Sequence, residues 1–171
     1  MAGSAATELG AGAAIITAST SRARNGGPDE SGDALAVLAE SIGIQVVGRD
    51  LVVDDRDQIE VCLRRWVAEP SCDLILTTGG TGFSPDDVTP EATATVIERP
   101  VPGIAEAMRA ASKPFTDHWM LSRGLAGISG STLIVNFPGN PKAIAQTGEA
   151  IALALPHALA LLRGGRGGHA G

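Results

Sequence analysis

The sequence predicts an α/β sandwich with a mostly parallel sheet, and three observations carry that expectation. Short apolar runs rich in β-branched residues alternate with helical patterns, as in chains that wind helices onto a parallel sheet. The chain is 44% hydrophobic yet only 3% aromatic and has no tyrosine, so Ala, Val, Ile and Leu must build the core. Such a core suits strands buried on both faces. Polar loops rich in glycine and proline then follow the strands directly, where sheets of this kind bind ligands. A length of 171 residues fits one domain of ordinary size.

The elements follow in order. "AAIITAS" (Ala13 to Ser19) reads as a first strand, and "TSRARNGGPDESG" as a polar loop. Pro28, Asp29 and Glu30 supply first-turn chemistry for a helix to about Ile42, with Leu35, Leu38 and Ile42 at helical spacing. "IQVVGRDLVV" carries a second strand, interrupted or ended near Gly48. Asp54 to Asp57 make an acidic turn before a helix striped by Ile59, Leu63 and Trp66 or Val67. "DLILTT" is a third strand, and the glycine loop follows it at once. Thr89 is placed to cap the next helix, with Pro90 at its first position and Glu91 favourable to its dipole. That helix should end near Glu98, and another should run from Gly103 to Ala111. "STLIVNF" is a further strand, and Pro141 opens a long final helix to about Leu162. One domain over 13–162 is expected, with a flexible N-terminus over 1–12 and a disordered glycine-rich tail over 163–171.

A formal charge of -6 with no Lys/Arg stripe argues against nucleic acid as a partner. "IALALPHALALL" is broken by Pro156 and His157, so no membrane span is expected. The N-terminal stretch lacks the basic flank and apolar core of a secretory signal, which makes the cytoplasm the expected compartment. Cys62 and Cys72 have no metal-ligand spacing with any histidine and read as reduced, buried thiols. His118, His157 and His169 are scattered, and no nucleophile elbow is present.

The chemistry concentrates in "TTGGTGFSPDDVTPE". Glycines after a strand let the backbone approach a ligand, and free amides there bind oxyanions. No Gly-Lys-Ser/Thr follows, so the loop is not a Walker loop. Asp86 and Asp87 would spoil an anion site unless a cation sits between them and the phosphate. Mg²⁺ is such a cation, held by one or two carboxylates together with phosphates. Asp54 and Asp55 repeat the pattern, although an aspartate there can equally be an ordinary helix cap. "NFPGNPKA" sets Lys142 beside amides at a helix start, a second anion site or a rigid turn. Ser122 and Arg123 in "LSRG" are either a third polar contact or surface loop.

"TTGGTGFSPDDVTPEAT", "RPVPGIAEAMR", "LSRG" and "VNFPGNPKA", in this order, resemble the Mog/MoaB family of molybdopterin adenylyltransferases, relatives of the gephyrin G domain. The resemblance spans about Ala13 to Leu162. It implies a three-layer α/β/α sandwich, commonly trimeric, that transfers AMP from Mg²⁺-ATP to the terminal phosphate of molybdopterin with release of pyrophosphate. The product would pass to a molybdate-insertion protein. The family's two important aspartates match Asp87 and Asp54, with Asp55 as fallback for the latter because "VVDDRDQI" lacks an anchoring proline. These are the expected catalytic and Mg²⁺-binding residues. Thr78, Gly79, Gly80, Thr81 and Gly82, together with Pro138, Gly139, Asn140 and Lys142, are the expected phosphate-binding set, with Ser122 as a further contact. "STSR" departs from the family's Ser-Asp-Arg, with Ser21 in the acidic place.

An anionic phosphate attacking phosphorus needs no strong general base, so positioning and charge neutralisation are the expected work. Two other classes share these loops: a non-catalytic pterin- or nucleotide-binding paralogue, and a nucleotide-derivative hydrolase of the competence-damage type.

Overall fold

Four strands lie parallel at the heart of the sheet, and the first is buried along its whole length. This is β1 (Gly12–Ala18), flanked by β2 (Gln45–Val52) and β3 (Leu74–Thr78). The computed structural model describes residues 10–164. β6 (Thr132–Phe137) pairs parallel with β3, while β5 (Ala126–Ser129) and β4 (Arg99–Pro100) complete an antiparallel edge. The sheet order is β2-β1-β3-β6-β5-β4.

Alternation along the strands divides the core into two. Ala13, Ile15, Leu74, Leu76, Leu133, Val135 and Phe137 face one side of the sheet. There they meet α2 (Glu30–Ser41), α5 (Pro102–Ser112), α6 (Pro141–Ile151) and α7 (Ala154–Gly164). Ala14, Ile16, Ile75 and Ile134 face the other side, against α3 (Arg56–Val67) and α4 (Thr89–Val96). Three layers result, as the sequence predicts. Each fully buried Ile or Leu contributes about 1.5–3 kcal/mol, so aliphatic volume alone can hold such a core.

This winding sets the functional end. After β1 the chain passes to α2 on one face; after β3 it passes to α4 on the other. Neighbouring parallel strands whose connections leave to opposite faces open a crevice at their carboxyl ends.

Several elements differ from expectation. α1 (Thr20–Asn25) occupies the stretch read as loop; it is polar, buries no residue, and so carries no hydrophobic period. β4 and β5 were not expected either. β4 is two exposed residues, and its Pro100 lacks the N–H that an inner strand needs. β5 contains Gly127, where a methyl group would lie 2.7 Å from Ile97 Cγ2. Of the two outcomes expected for β2 near Gly48, interruption holds and ending does not: a bulge at Val47 leaves Ala13 paired with Val46 and Ala14 with Gly48, and the strand runs on. A methyl on Gly48 would lie 2.2 Å from the Trp66 ring, so the glycine serves close packing.

The long final helix is two helices, α6 and α7, bent by 61°. Pro156 is the cause: its ring excludes a helical carbonyl four residues back and it donates no hydrogen bond. Helix α7 extends to Gly164, into the stretch expected to be tail; the rest of that stretch and residues 1–9 lie outside the described residues. No single helix among the described residues is long and apolar enough to cross a membrane.

Candidate functional site

Three loops meet at the carboxyl ends of β1, β3 and β6. Gly79 and Gly80 both take positive φ, 91° and 66°, which a side chain disfavours. A methyl on Gly79 would also lie 2.4 Å from the Ala18 carbonyl oxygen at the end of β1. One on Gly139 would lie 3.5 Å from Gly79 Cα. Thr78 donates its hydroxyl to the Pro138 carbonyl at 2.8 Å, so it ties this loop to the "PGNPK" turn.

The two aspartates after β2 do different things. Asp55 is the N-cap of α3, accepting from Gln58 N at 3.0 Å. Asp54 makes no cap. Its Oδ2 accepts from the backbone and the hydroxyl of Thr20 at 2.7 and 2.9 Å. Its Oδ1 lies 3.6 Å from where a methyl on Gly80 would stand. The geometry therefore brings Asp54, not its neighbour, to the glycine loop.

Asp86 and Asp87 separate in the same way. Asp86 is exposed, whereas Asp87 is half-buried and accepts from Ser84 N at 2.9 Å through Oδ2. That oxygen lies 2.8 Å from the position of a methyl on Gly82. Two carboxylates from separate loops thus flank Gly80 and Gly82, with Thr81 buried between them.

Thr89 is not the cap it was expected to be. Val88 holds the N-cap position of α4 and makes no side-chain cap bond. Thr89 is fully buried, its backbone N–H bonds the Gly80 carbonyl at 3.1 Å, and its Oγ1 has no partner. A methyl on Gly80 would lie 2.5 Å from that hydroxyl. An unpaired buried hydroxyl is costly, and here it lies against the glycine loop, beside Asp54.

On the third loop, Asn140 caps α6 by accepting from Lys142 N at 2.9 Å, and Pro141 follows as expected. The cap uses the Lys142 amide, so of that residue it is the exposed ammonium chain that remains to meet an anion. Ser122 accepts from Gly124 N at 3.4 Å through its hydroxyl. It borders a cavity of about 140 Å³ whose walls include Met108, Arg109, Trp119, Asn136 and Pro138. Arg109 reaches the Gly124 carbonyl at 3.0 Å, and Asn136 bonds Thr77 and Thr93 hydroxyls at 3.0 Å each, which fixes the wall.

Sequence reasoning missed Thr20, and it named Arg123 with Ser122 only as either a third polar contact or surface loop. Thr20 lies in the polar stretch after β1, where no periodicity distinguishes one hydroxyl from another. The cysteines are inert: burial first, then the Asp50 charge, pushes Cys62 up to about 12, and burial does the same to Cys72. His118 borders the cavity, His157 is exposed elsewhere, and His169 lies outside the described residues. Among the described residues no three His, Cys, Asp or Glu side chains gather to hold a metal unaided.

Fold and crevice together define a doubly wound α/β protein whose crevice opens at the switch point between β1 and β3. The family described as "probable molybdopterin binding domain" matches residues 14–157, and the chain belongs to it. It is 44% identical over 115 residues to the molybdopterin adenylyltransferase of Helicobacter pylori strain 26695, a match covering 67% of this chain and 65% of that protein. The matched segments span between 18% and 65% of the curated relatives' own lengths. Among solved structures, it superposes on the molybdopterin biosynthesis enzyme MoaB from Thermus thermophilus with a TM-score of 0.83 and 41% identity, covering 90% of this chain and 96% of that one. The molybdopterin biosynthesis Mog protein from Mycobacterium ulcerans gives 0.83 and 39%, covering 89% and 99%.

Proposed function

We infer that the protein is a molybdopterin adenylyltransferase of molybdenum cofactor synthesis, moving AMP from ATP to the terminal phosphate of molybdopterin. The observation that carries this reading is the pair Asp54 and Asp87, turned from separate loops to one glycine loop at the switch point. The activity named for its 44%-identical relative supports it.

In this reading a phosphate oxygen of molybdopterin attacks the α-phosphorus of ATP, the bond to the β-phosphate oxygen breaks, and pyrophosphate leaves. The nucleophile is already an anion, so the chain supplies no strong base. Backbone amides of Gly79 to Gly82 and the Lys142 ammonium hold phosphate oxygens, and the cavity beside Ser122 and Trp119 takes a flat ring of the substrates. The donor set fits Mg²⁺: two carboxylates with no His or Cys among them, facing a cradle that side chains would fill. Asp54 and Asp87 would hold the ion, which when bound neutralises charge on the phosphates. The orphaned Thr89 hydroxyl lies in the same cradle.

A homotrimer accompanies this reading. An apolar groove at the antiparallel edge, lined by Ile104, Ile128, Leu133 and Leu161, with Leu161 65% exposed, supports burial against another copy. Transfer of the product to a molybdate-insertion protein, in the cytoplasm, completes it.

The test is thermal protection. A ligand that binds only the folded state raises the melting temperature. ATP should protect when Mg²⁺ is present and fail to protect with excess chelator. Equal protection in both conditions would remove the metal from the site. Light scattering at micromolar concentration should give a mass of three chains, and a monomer would remove the trimer.

A further inference from the structure

Arg123 follows Ser122 on the loop that leads into β5, yet its side chain turns away from the cavity and onto the glycine loop. Nε donates to the Gly82 carbonyl at 2.8 Å and Nη2 to the Asp87 carbonyl at 2.6 Å. Nη1 pairs with Glu91 Oε1, and Nη2 reaches Glu91 Oε2 at 3.5 Å. The backbone N–H of Arg123 adds a bond to the Thr81 carbonyl at 2.9 Å. One residue therefore grips the loop where it leaves β3, where it ends at Asp87, and in the first turn of α4.

The stretch between these grips is otherwise held by its own turn, Ser84 N–H to Asp87 Oδ2 and Asp87 N–H to the Ser84 carbonyl, each at 2.9 Å. Phe83, Ser84, Pro85 and Asp86 are exposed, Phe83 to 70%. Across that stretch the carbonyls of Gly82 and Asp87 meet on one planar guanidinium, which sets their separation. The same two residues also approach each other closely: a methyl on Gly82 would stand 2.8 Å from Asp87 Oδ2. A lysine could not reproduce this, because an ammonium is a point charge without the rigid fork that bridges two carbonyls and a carboxylate. The Arg123 hydrogen bond, only partly offset by burial, holds the Glu91 carboxyl below its usual value.

We propose that Arg123 is a positioning residue that fixes the Asp87 carboxylate over the glycine loop, acting through the loop backbone and not on the substrate. Its effect on turnover rests on the adenylyl-transfer reading above. Its effect on the loop does not.

The experiment compares wild type, R123A, R123K, D87N and the R123A/D87N double variant by amide hydrogen exchange, and by AMP transfer at varied Mg²⁺. In R123A, exchange over residues 83–87 should quicken by about tenfold or more while β1 and β3 stay protected. Transfer by R123A should fall about tenfold or more, and half-maximal rate should need more Mg²⁺; in the D87N background the same substitution should cost less than about threefold further, because the two act on one element. R123K should recover only a small part of either loss. Equal losses in both backgrounds would mean that Arg123 meets the substrate directly, and unchanged exchange over 83–87 would remove the clamp; either overturns the proposal. If wild type itself transfers no AMP, the adenylyl-transfer reading fails, and the exchange measurement alone decides on Arg123.

Discussion

Thr20 holds one oxygen of Asp54 from two directions, backbone N–H at 2.7 Å and hydroxyl at 2.9 Å, and takes a bond back from Asp54 N at 2.9 Å. A carboxylate so held presents its other oxygen to Gly80 at low entropic cost. Thr20→Val removes the hydroxyl and keeps the shape. AMP transfer should drop by about tenfold, as when the supporting bond of a preorganised charge is lost, while stability falls by about 1 kcal/mol. Thr20→Ser restores the hydroxyl and should restore the rate. Steady-state kinetics with a melting curve for each variant decides it.

Gly82→Ala tests the second carboxylate without touching its charge. The added methyl would meet Asp87 Oδ2 at 2.8 Å, so the carboxylate must move. Gly82 has no positive φ, which leaves backbone strain out of the comparison. The melting temperature should fall by a few degrees at most, an effect of about 1 kcal/mol, and transfer should fall far more than stability. A rate equal to wild type would mean that Asp87 does no work from this position.

The four parallel strands and the three polar loops were legible because they rest on local signals. "DLILTT" is short, apolar and followed by glycines; Asp29 and Pro141 mark helix starts that stand where expected, Asp29 as N-cap of α2. Asp54 and Asp87 were reached through the family's motifs; in the structure these two turn to the glycine loop, while Asp55 caps α3 and Asp86 is exposed. What was not legible depends on distant partners. Arg123 acts 41 residues from Gly82, and nothing local to "LSRG" marks it as a clamp. Thr89 looked like a cap because threonine before proline usually is one; here α4 begins one residue earlier and the hydroxyl faces the glycine loop.

At the far end of the sheet, Arg163 of α7 closes on Asp73, which is 1% exposed and also accepts from Gly12 N at 3.0 Å. The bond to Asp73 outweighs burial and raises the arginine's pKa above its ordinary value. Arg163→Met leaves a buried carboxylate short of its cation and should cost about 3 kcal/mol, the low end for such a loss since the arginine is partly exposed. Urea denaturation measures it. Mg²⁺-ATP protection should persist in this variant, because the pair lies at the amino ends of β1 and β3.

Acid stability should depend on Asp29. Burial raises its pKa, but hydrogen bonds from Thr17, Gly32 N and Arg49 together outweigh it, leaving the carboxyl below its ordinary value of 3.8. A lowered folded value gives stability that is present above pH 3.8 and lost as pH falls through the folded value. Asp29→Asn should be less stable at neutral pH and lose less than wild type on acidification below that point. Denaturant midpoints at pH 7 and about pH 3 compare the two, and parallel losses would exclude Asp29 from the acid transition.

The most direct measurement is AMP transfer from Mg²⁺-ATP to molybdopterin by wild type, Asp54→Asn and Asp87→Asn, each with its melting curve. Wild type should form adenylylated molybdopterin and release pyrophosphate. Both variants should melt close to wild type and turn over about a hundredfold more slowly or worse, as expected when a preorganised charge is removed from a phosphoryl-transfer site. Asp86→Asn, exposed and turned outward, should be milder. A folded wild type that transfers no AMP, or an Asp87→Asn variant that melts normally and works at the wild-type rate, would contradict the account.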